Sequence, residues 1–251
     1  MIEFKNVSKY YSCVKALDNI SFVIPDGEIV GLVGANGAGK TTTIKLAMNH
    51  ISPDSGRILL NDKDIAKISD YKMQIAYVPD EPVCYDFMTV EEHFKFIESM
   101  YHGDGYDMDE LIRRFDMEPH LQKLPMALSK GNKQKLMICN VLLRDFKFLI
   151  ADEPFTGLDP KQIHSLKQIF LELRNAGKSV VLSTHLLDTI ELFCDRYIMM
   201  EKGKIIANGT KEEILKSSGF DSDMSIEEAY IKLTGCSEEM VRGNEEHAYF
   251  D

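Results

Sequence analysis

A glycine-rich octapeptide, Gly34-Ala35-Asn36-Gly37-Ala38-Gly39-Lys40-Thr41, is the part of the sequence best suited to chemistry. It matches the spacing G-x-x-x-x-G-K-[ST] of a phosphate-binding loop. Glycines let the backbone curl so that several N–H groups face one phosphate chain. Lys40 could reach the β- and γ-phosphates of a nucleotide, and Thr41 could bind Mg²⁺. The predicted ATP-binding residues of this loop are Gly34, Asn36, Gly37, Ala38, Gly39, Lys40, Thr41 and Thr42.

Two adjacent carboxylates, Asp152 and Glu153, follow an apolar run about a hundred residues after the loop. In nucleotide hydrolases of this kind, the first acid holds Mg²⁺ through water and the second polarises the attacking water. A strand that ends in two acids is common by chance. The pairing with an upstream phosphate-binding loop makes Asp152 a predicted metal residue and Glu153 a predicted catalytic base.

The elements that must position these residues alternate along the chain. An apolar strand at 28–33 precedes the loop and a helix from about 39 to 50 follows it, which favours a ligand site over a bare glycine-rich turn. Strands alternating with helices predict a parallel α/β sheet. Further strands are predicted at 2–5, 16–24, 57–60, 146–151, 179–182 and 197–201, and further helices at 160–176 and 187–194. A block of helical pattern, about 85–144, interrupts the alternation.

Composition limits the classes of function. The 251 residues carry a formal net charge of −11, which argues against nucleic acid as the main ligand. No apolar run reaches the length that a bilayer requires, and no signal-peptide pattern opens the chain. We therefore predict a cytoplasmic protein. The cysteines Cys13, Cys84, Cys139, Cys194 and Cys236 form no metal-binding spacing and are predicted to be packing or surface residues.

Further motifs, in order along the chain, resemble those of the ABC ATPases. Leu128-Ser129-Lys130-Gly131-Asn132 resembles the signature sequence, Gly157-Leu158-Asp159-Pro160 the D-loop, and Ser183-Thr184-His185 the switch-histidine segment. Tyr11 stands where the family places an adenine-stacking aromatic residue, with Tyr10 as a close alternative. The resemblance implies a P-loop NTPase core with a mainly parallel sheet, an N-terminal antiparallel β subdomain and an inserted α-helical subdomain.

The resemblance also implies roles for individual residues. Ser129 and Gly131 would contact the γ-phosphate held by a second subunit, so that two composite sites form in a head-to-tail dimer. His185 would bond the γ-phosphate and the attacking water, and Asp159 would link the two sites. Asp159 before Pro160 is equally sound as a helix cap. The implied catalytic residues are Glu153, His185, Lys40 and Asp159.

Two segments depart from the family pattern. Asp80 falls where the Q-loop glutamine is expected, and it is predicted to lie beside ATP and to accept a bond from metal-bound water. In the signature, Lys130 and Asn132 replace a glycine and a glutamine, and lysine-bearing signatures hint at bacterial exporter-like branches. The apolar segment 82–87 either packs on the helical block or forms a groove for a helix of a membrane partner.

We therefore predict an ATPase domain over 1–210 and a short helical, acidic extension over 211–251, which has 11 acidic and 4 basic residues. The predicted partners are a transmembrane permease subunit and a second ATPase subunit, identical or related. Through the permease the protein would lie on the inner face of the cell membrane. The alternatives are a soluble ABC ATPase acting on ribosomes, DNA or an assembly scaffold, and a regulatory nucleotide-binding module with little turnover.

Overall fold

Two sheets build the molecule in the computed structural model, which describes residues 1–101 and 105–235. The first is antiparallel, with the strand order β2-β1-β4-β5. The second has the order β10-β9-β3-β8-β7-β6, and β10 is its antiparallel edge strand. The strands are β1 Ile2–Tyr11, β2 Val14–Ile24, β3 Ile29–Val33, β4 Ser55–Leu60, β5 Lys63–Asp64, β6 Ile75–Val78, β7 Phe148–Asp152, β8 Ser179–Thr184, β9 Arg196–Glu201 and β10 Lys204–Gly209.

The predicted fold class is confirmed by this architecture. Strands β3, β6, β7, β8 and β9 run parallel, so their carboxyl ends meet at one edge. The helices are α1 Lys40–Ala47, α2 Val90–Tyr101, α3 Met108–Arg114, α4 Lys130–Leu142, α5 Pro160–Asn175, α6 Leu187–Glu191, α7 Lys211–Ser218 and α8 Ile226–Leu233. Short 3₁₀ turns lie at Ile65–Lys67, Tyr71–Gln74, Glu118–His120 and Pro125–Ala127.

The core sheet separates two apolar clusters. Ile29 and Val33 of β3 face the cluster that contains the helical block, whereas Val30 and Leu32 face the cluster beneath the antiparallel sheet. This division follows from the two-residue period of a strand, which sends successive side chains to opposite faces. Because both faces are covered, every residue of β3 is buried.

The inserted block consists of α2, α3 and α4, with α4 packed against β6 and α2. Reciprocal hydrogen bonds cap the start of α2: Thr89 N–H donates to Glu92, and Glu92 N–H donates to the Thr89 hydroxyl. Phe115 and Leu136 are fully buried in the block's core. The helical pattern at about 85–144 therefore corresponds to observed helices.

Several elements differ from their predicted bounds. The first strand extends to Tyr11, beyond the predicted end at residue 5, because it pairs with β2 along its whole length. Strands β6 and β10 were not predicted. β6 is only four residues long, and β10 is half-exposed and held by a hairpin whose turn residues Lys202 and Gly203 both have positive φ.

Helices α1 and α6 end before their predicted bounds. α1 stops at Ala47, where Asn49 adopts a left-handed conformation, and α6 stops at Glu191. Within the segment predicted to be a short helical extension, the structure has the helices α7 and α8, while residues 236–251, including Cys236, lie outside the described residues. Within 1–101 and 105–235, no helix combines the length and apolarity needed to cross a bilayer.

Candidate nucleotide-binding site

The glycine-rich loop connects β3 to α1 and borders a cavity of about 480 Å³. Gly37 and Gly39 have φ values of 81° and 108°, which favour glycine over residues with a Cβ atom. The cavity is lined by Val14, Lys15, Ala16, Ala35, Asn36, Gly37, Gly39, Lys40, Thr41, Thr42 and Lys202. The volume lies in the range typical of small-ligand sites.

Two loop residues predicted to bind ATP do not line this cavity. Gly34 and Ala38 are buried, and a Cβ atom on Gly34 would lie 2.7 Å from the Met200 carbonyl oxygen. Gly34 thus allows the loop to pass close to β9. Gly34 and Ala38 are thus buried within the loop, whereas Asn36, Gly37, Gly39, Thr41 and Thr42 line the cavity. Binding of ATP by these residues stays a prediction.

Lys40 is buried at the start of α1 and its ammonium group bonds the loop itself. Its Nζ donates to the Gly34 carbonyl at 2.5 Å and to the Ala35 carbonyl at 3.3 Å. Burial lowers the pKa of Lys40, and the negative charges of Glu153 and Asp152 oppose that shift. The loop carbonyls compensate the buried charge of Lys40 only in part, and an anion bound in the cavity would compensate it more fully.

Asp152 ends β7 and is buried beside Ser183 of β8, whose hydroxyl donates a hydrogen bond to Asp152 Oδ1. Burial raises the pKa of Asp152, as do the neighbouring charges of Asp80 and Glu153, while the hydrogen bond from Ser183 and the charge of Lys40 lower it. Two carboxylates, Asp152 and Glu153, act on the Lys40 ammonium group, and Asp80 adds negative charge beside Asp152, which favours binding of a cation. Oxygen donors of this kind suit Mg²⁺.

The donor set fits Mg²⁺ that is shared with phosphates. Within the described ranges, no three His, Cys, Asp or Glu side chains converge on one cation position. Mg²⁺ commonly uses one or two protein ligands, and substrate phosphates and water complete its coordination. Thr41 at the cavity and Asp152 at the strand edge are the residues that would hold it.

Glu153 lies one residue beyond β7 in a left-handed conformation, with φ 47°. Its N–H donates to the Ser183 carbonyl at 3.0 Å, which anchors this turn to β8. The Glu153 Oε2 lies 3.0 Å from His185 Nδ1, and the imidazole is exposed. The two residues predicted to act on the attacking water are therefore in contact with each other.

Ser183 is a site residue that the sequence analysis did not single out. It was quoted only as part of the segment that ends in His185. The parallel register pairs it with Asp152, and its hydroxyl and carbonyl contact both Asp152 and Glu153. A small polar residue in the apolar strand 179–184 was the signal available in the sequence.

Asp80 follows β6, which pairs in parallel with β7 through Val78 and Ala151. It therefore emerges at the same sheet edge as Asp152. Asp80 is exposed, and its negative charge raises the pKa of Asp152. The pKa of Tyr77 is about 12, raised mainly by burial and further by the charges of Asp152 and Asp80.

The signature and D-loop segments contact each other away from the cavity lining. A Cβ atom on Gly131 would lie only 2.3 Å from the Gly157 carbonyl oxygen. Ser129 is the N-cap of α4 and its hydroxyl accepts a bond from Asn132 N–H at 3.3 Å. Asp159 is the N-cap of α5 within a capping box, so the structure confirms its capping role. Ser129 and Asp159 are both exposed.

The two candidate adenine-stacking tyrosines lie at the tip of the β1–β2 hairpin. Tyr11 pairs in register with Val14, and the Tyr10 ring centroid is 5.6 Å from Lys15 Nζ. Val14 and Lys15 line the cavity, whereas neither tyrosine does. Both rings are exposed beside its mouth, and adenine stacking by Tyr11 stays a prediction.

The segment 82–87 packs in part on the helical block, which is one of its two expected arrangements, and a groove for a partner helix stays a prediction. The Tyr85 ring packs on α2 against His93 and Phe96, and its N–H donates to His93 Nε2 at 2.9 Å. Val83 and Phe87 remain 73% and 95% exposed. Part of the segment thus packs on the helical block, and two apolar side chains face outward.

Comparisons with known proteins agree with this geometry. A family model described as ABC transporter matches residues 17–156. The ABC-type transporter ATP-binding protein EcsA of Bacillus subtilis is 36% identical over 239 residues, covering 93% of this chain and 96% of EcsA. The lipopolysaccharide export system ATP-binding protein LptB of Haemophilus influenzae is 32% identical, covering 84% of this chain and 91% of LptB.

A solved structure of the ATP-binding subunit of an ABC transporter superimposes with a TM-score of 0.85. It is 37% identical in sequence, and the match covers 93% of this chain and 99% of that one. The sequence matches and the fold match indicate the same family. The chain belongs to the ABC transporter family, as an ATP-binding subunit with ATPase activity.

Proposed function

We propose that this chain binds MgATP at the glycine-rich loop, hydrolyses it with Glu153 as the base, and powers a separate transmembrane subunit of an exporter. The observation that carries the proposal is the meeting of Lys40, Asp152, Glu153 and His185 at one edge of the parallel sheet, with Glu153 and His185 in contact at 3.0 Å. Ligands of open α/β sheets bind at this edge.

Each residue has a distinct task in hydrolysis. Lys40 leaves the loop carbonyls for the β- and γ-phosphates, where its charge offsets the charge that develops in the transition state. Glu153 accepts a proton from the attacking water, and His185 orients that water and the γ-phosphate. Mg²⁺, held by Thr41 and Asp152, would neutralise phosphate charge when bound.

The site of one chain is half of a composite site. Ser129, Gly131 and Asp159 do not line the nucleotide cavity, and Ser129 and Asp159 are exposed. In a head-to-tail dimer, α4 of a second subunit directs its N-terminus at the γ-phosphate. That subunit is either a second copy or a related ATPase. Loss of the γ-phosphate removes this link and reopens the dimer.

Coupling to a permease explains the exposed apolar residues Val83 and Phe87, which lie on the loop after Asp80. A helix of the membrane subunit would dock here and place the protein on the cytoplasmic face of the membrane. Export as the direction is supported by the name of the LptB relative and by Lys130 in the signature. The formal charge of −11 supports a partner other than nucleic acid.

Co-purification tests this function. Tagged full-length protein is isolated from detergent-solubilised membranes of its own cells, and bound proteins are identified by mass spectrometry. We expect a stoichiometric multi-span protein with the wild type. Phe87→Asp should lose it while binding ATP normally, because a charge would enter an apolar contact.

Leu192→Asp is the matched control, since Leu192 is also exposed and apolar but lies after α6. This variant should retain the membrane protein. Recovery of ribosomal proteins, of DNA-associated proteins or of no membrane protein would refute the coupling to a permease and favour a soluble ABC ATPase.

A further inference from the structure

A hydrogen bond joins the C-terminal extension to the phosphate-binding loop. The N–H of Ala35 donates to the hydroxyl oxygen of Tyr230 at 2.9 Å, across 195 positions of the chain. Ala35 belongs to the glycine-rich loop and lines the nucleotide cavity, while Tyr230 lies in α8. The extension, in which the sequence showed no functional motif, thus contacts the site directly.

The contact falls on the same peptide unit that Lys40 holds. The carbonyl of Gly34 accepts from Lys40 Nζ at 2.5 Å, and the N–H on the other side of that peptide bond donates to Tyr230. A planar peptide unit that is bonded at both ends has a fixed orientation. When the Lys40 ammonium group binds phosphate, its bond to the Gly34 carbonyl is lost, and of these two bonds only the one between Ala35 N–H and the Tyr230 hydroxyl remains.

Helix α8 is a firm support for that hydroxyl. Ile226 and Ala229 are fully buried, and Ile226 is part of the larger apolar cluster. A capping box between Ser225 and Glu228 starts the helix. The side chain of Tyr230 packs against the same cluster, so little conformational entropy is lost when its hydroxyl meets the loop.

The same helix reaches the segment that follows His185. α8 packs against α6, which begins two residues after that histidine. The neighbouring carboxyl group of Asp188 in α6 raises the pKa of Glu227 in α8. α8 therefore spans from the phosphate-binding loop to the element beside the candidate switch histidine.

We propose that Tyr230 is a positioning residue: its hydroxyl holds the Gly34–Ala35 peptide unit, and through it the C-terminal extension sets the shape of the loop that receives the phosphates. This inference rests on the proposed nucleotide site. It assigns a role in nucleotide affinity to α8, beyond the ATPase domain of 1–210.

Tyr230→Phe tests the inference in the full-length chain, because it removes the acceptor oxygen and keeps the ring. We expect ATP and ADP to bind about 3- to 10-fold more weakly, the change that loss of one hydrogen bond produces. The maximal turnover rate and the melting temperature without nucleotide should stay near the wild-type values, so that the defect appears in KM and not in kcat.

Tyr106→Phe is the matched control. It also removes one tyrosine hydroxyl, which bonds Glu172 at 3.0 Å in a different region. It should leave nucleotide affinity unchanged. Unchanged affinity in Tyr230→Phe would overturn the inference, as would a loss of affinity accompanied by a much larger fall in melting temperature than in Tyr106→Phe.

Ala35→Pro provides a second, independent variant, since proline lacks the N–H donor. If the hydroxyl and this amide act as a pair, the double variant Ala35→Pro, Tyr230→Phe should bind ATP about as well as whichever single variant has the lower affinity. Fully additive losses would contradict the pairing. Lys40→Ala separates the two hypotheses: normal ATP binding by that variant would overturn the proposed site itself.

Discussion

At the scale of residues, two adjacent carboxylates acquire different surroundings from one backbone turn. Asp152 stays on β7, buried and bonded by Ser183, whereas Glu153 turns out of the strand with φ 47° toward His185. A left-handed conformation costs a non-glycine residue of the order of 1–3 kcal/mol. The bond from Glu153 N–H to the Ser183 carbonyl helps to offset that cost. Such strain is typical of functional sites.

Substitution of Asp80 should separate nucleotide binding from coupling to the membrane partner. Asp80 does not line the cavity, yet its charge acts on Asp152. Asp80→Ala should therefore leave the Kd for ATP within about 2-fold of the wild-type value. Hydrolysis stimulated by the membrane partner should become about 10-fold slower, a smaller loss than removal of a general base causes. Titration with ATP and phosphate release by the complex measure the two effects.

Asp109→Ala, an exposed acid of α3, is the control for that experiment and should match the wild type in both assays. Equal losses of binding and of stimulated hydrolysis in Asp80→Ala would contradict the separation.

At the scale of elements, the start of α4 is locked to the loop before α5. The backbone of Gly131 approaches Gly157 so closely that no Cβ atom fits between them. The signature and D-loop segments therefore cannot shift relative to each other without changing this contact. This contact connects the signature, which would complete the nucleotide site of a second subunit, with the D-loop segment that follows Glu153.

Gly131→Ala tests that contact. Its Cβ would meet a backbone oxygen at 2.3 Å, so the two segments must separate. Overpacking of this kind costs about 1–3 kcal/mol, which for a chain of this size lowers the melting temperature by about 2–10 °C. Thermal unfolding measures the shift. Lys130→Ala, one residue earlier and exposed, should unfold within about 2 °C of the wild type. A Gly131→Ala protein as stable as Lys130→Ala would refute the close contact.

At the scale of the whole molecule, the residues of the proposed composite site lie in two separate regions of one chain. The glycine-rich loop lines the cavity, and the acid pair and His185 follow strands β7 and β8 at the edge of the parallel sheet. Ser129 and Lys130 of the signature are exposed on the helical block. Nucleotide bound at the first half-site would be completed by the second half-site of another chain. The proposed dimer follows from this separation.

Glu153→Gln makes that dimer observable. The amide keeps the size of the side chain but cannot take a proton, so turnover should fall at least about 100-fold while ATP stays bound. Sedimentation in MgATP should then show dimers, and MgADP should not support them. Adding Ser129→Arg to this variant should leave ATP-bound monomers, because the larger side chain blocks the opposing half-site. Monomers of Glu153→Gln in MgATP would argue against the composite site.

The sequence by itself determined the features that reside in contiguous residues. The phosphate-binding loop, the Asp152–Glu153 pair and the alternation of strands and helices are local patterns, and each predicted the right element because its chemistry or periodicity needs no distant partner. The family resemblance extended the same patterns to the correct fold class. Even the capping role of Asp159 was readable, because a helix cap depends on a few neighbouring positions.

Only the tertiary structure decided which distant residues meet. Ser183 reaches Asp152 through the register of two parallel strands, and Tyr230 reaches Ala35 because α8 docks beside the loop. Strands β6 and β10 exist through pairing with β7 and β9, since neither carries enough periodicity to specify itself. These contacts join positions as far as 195 residues apart, and the packing that creates them is a property of the assembled core, which no local pattern encodes.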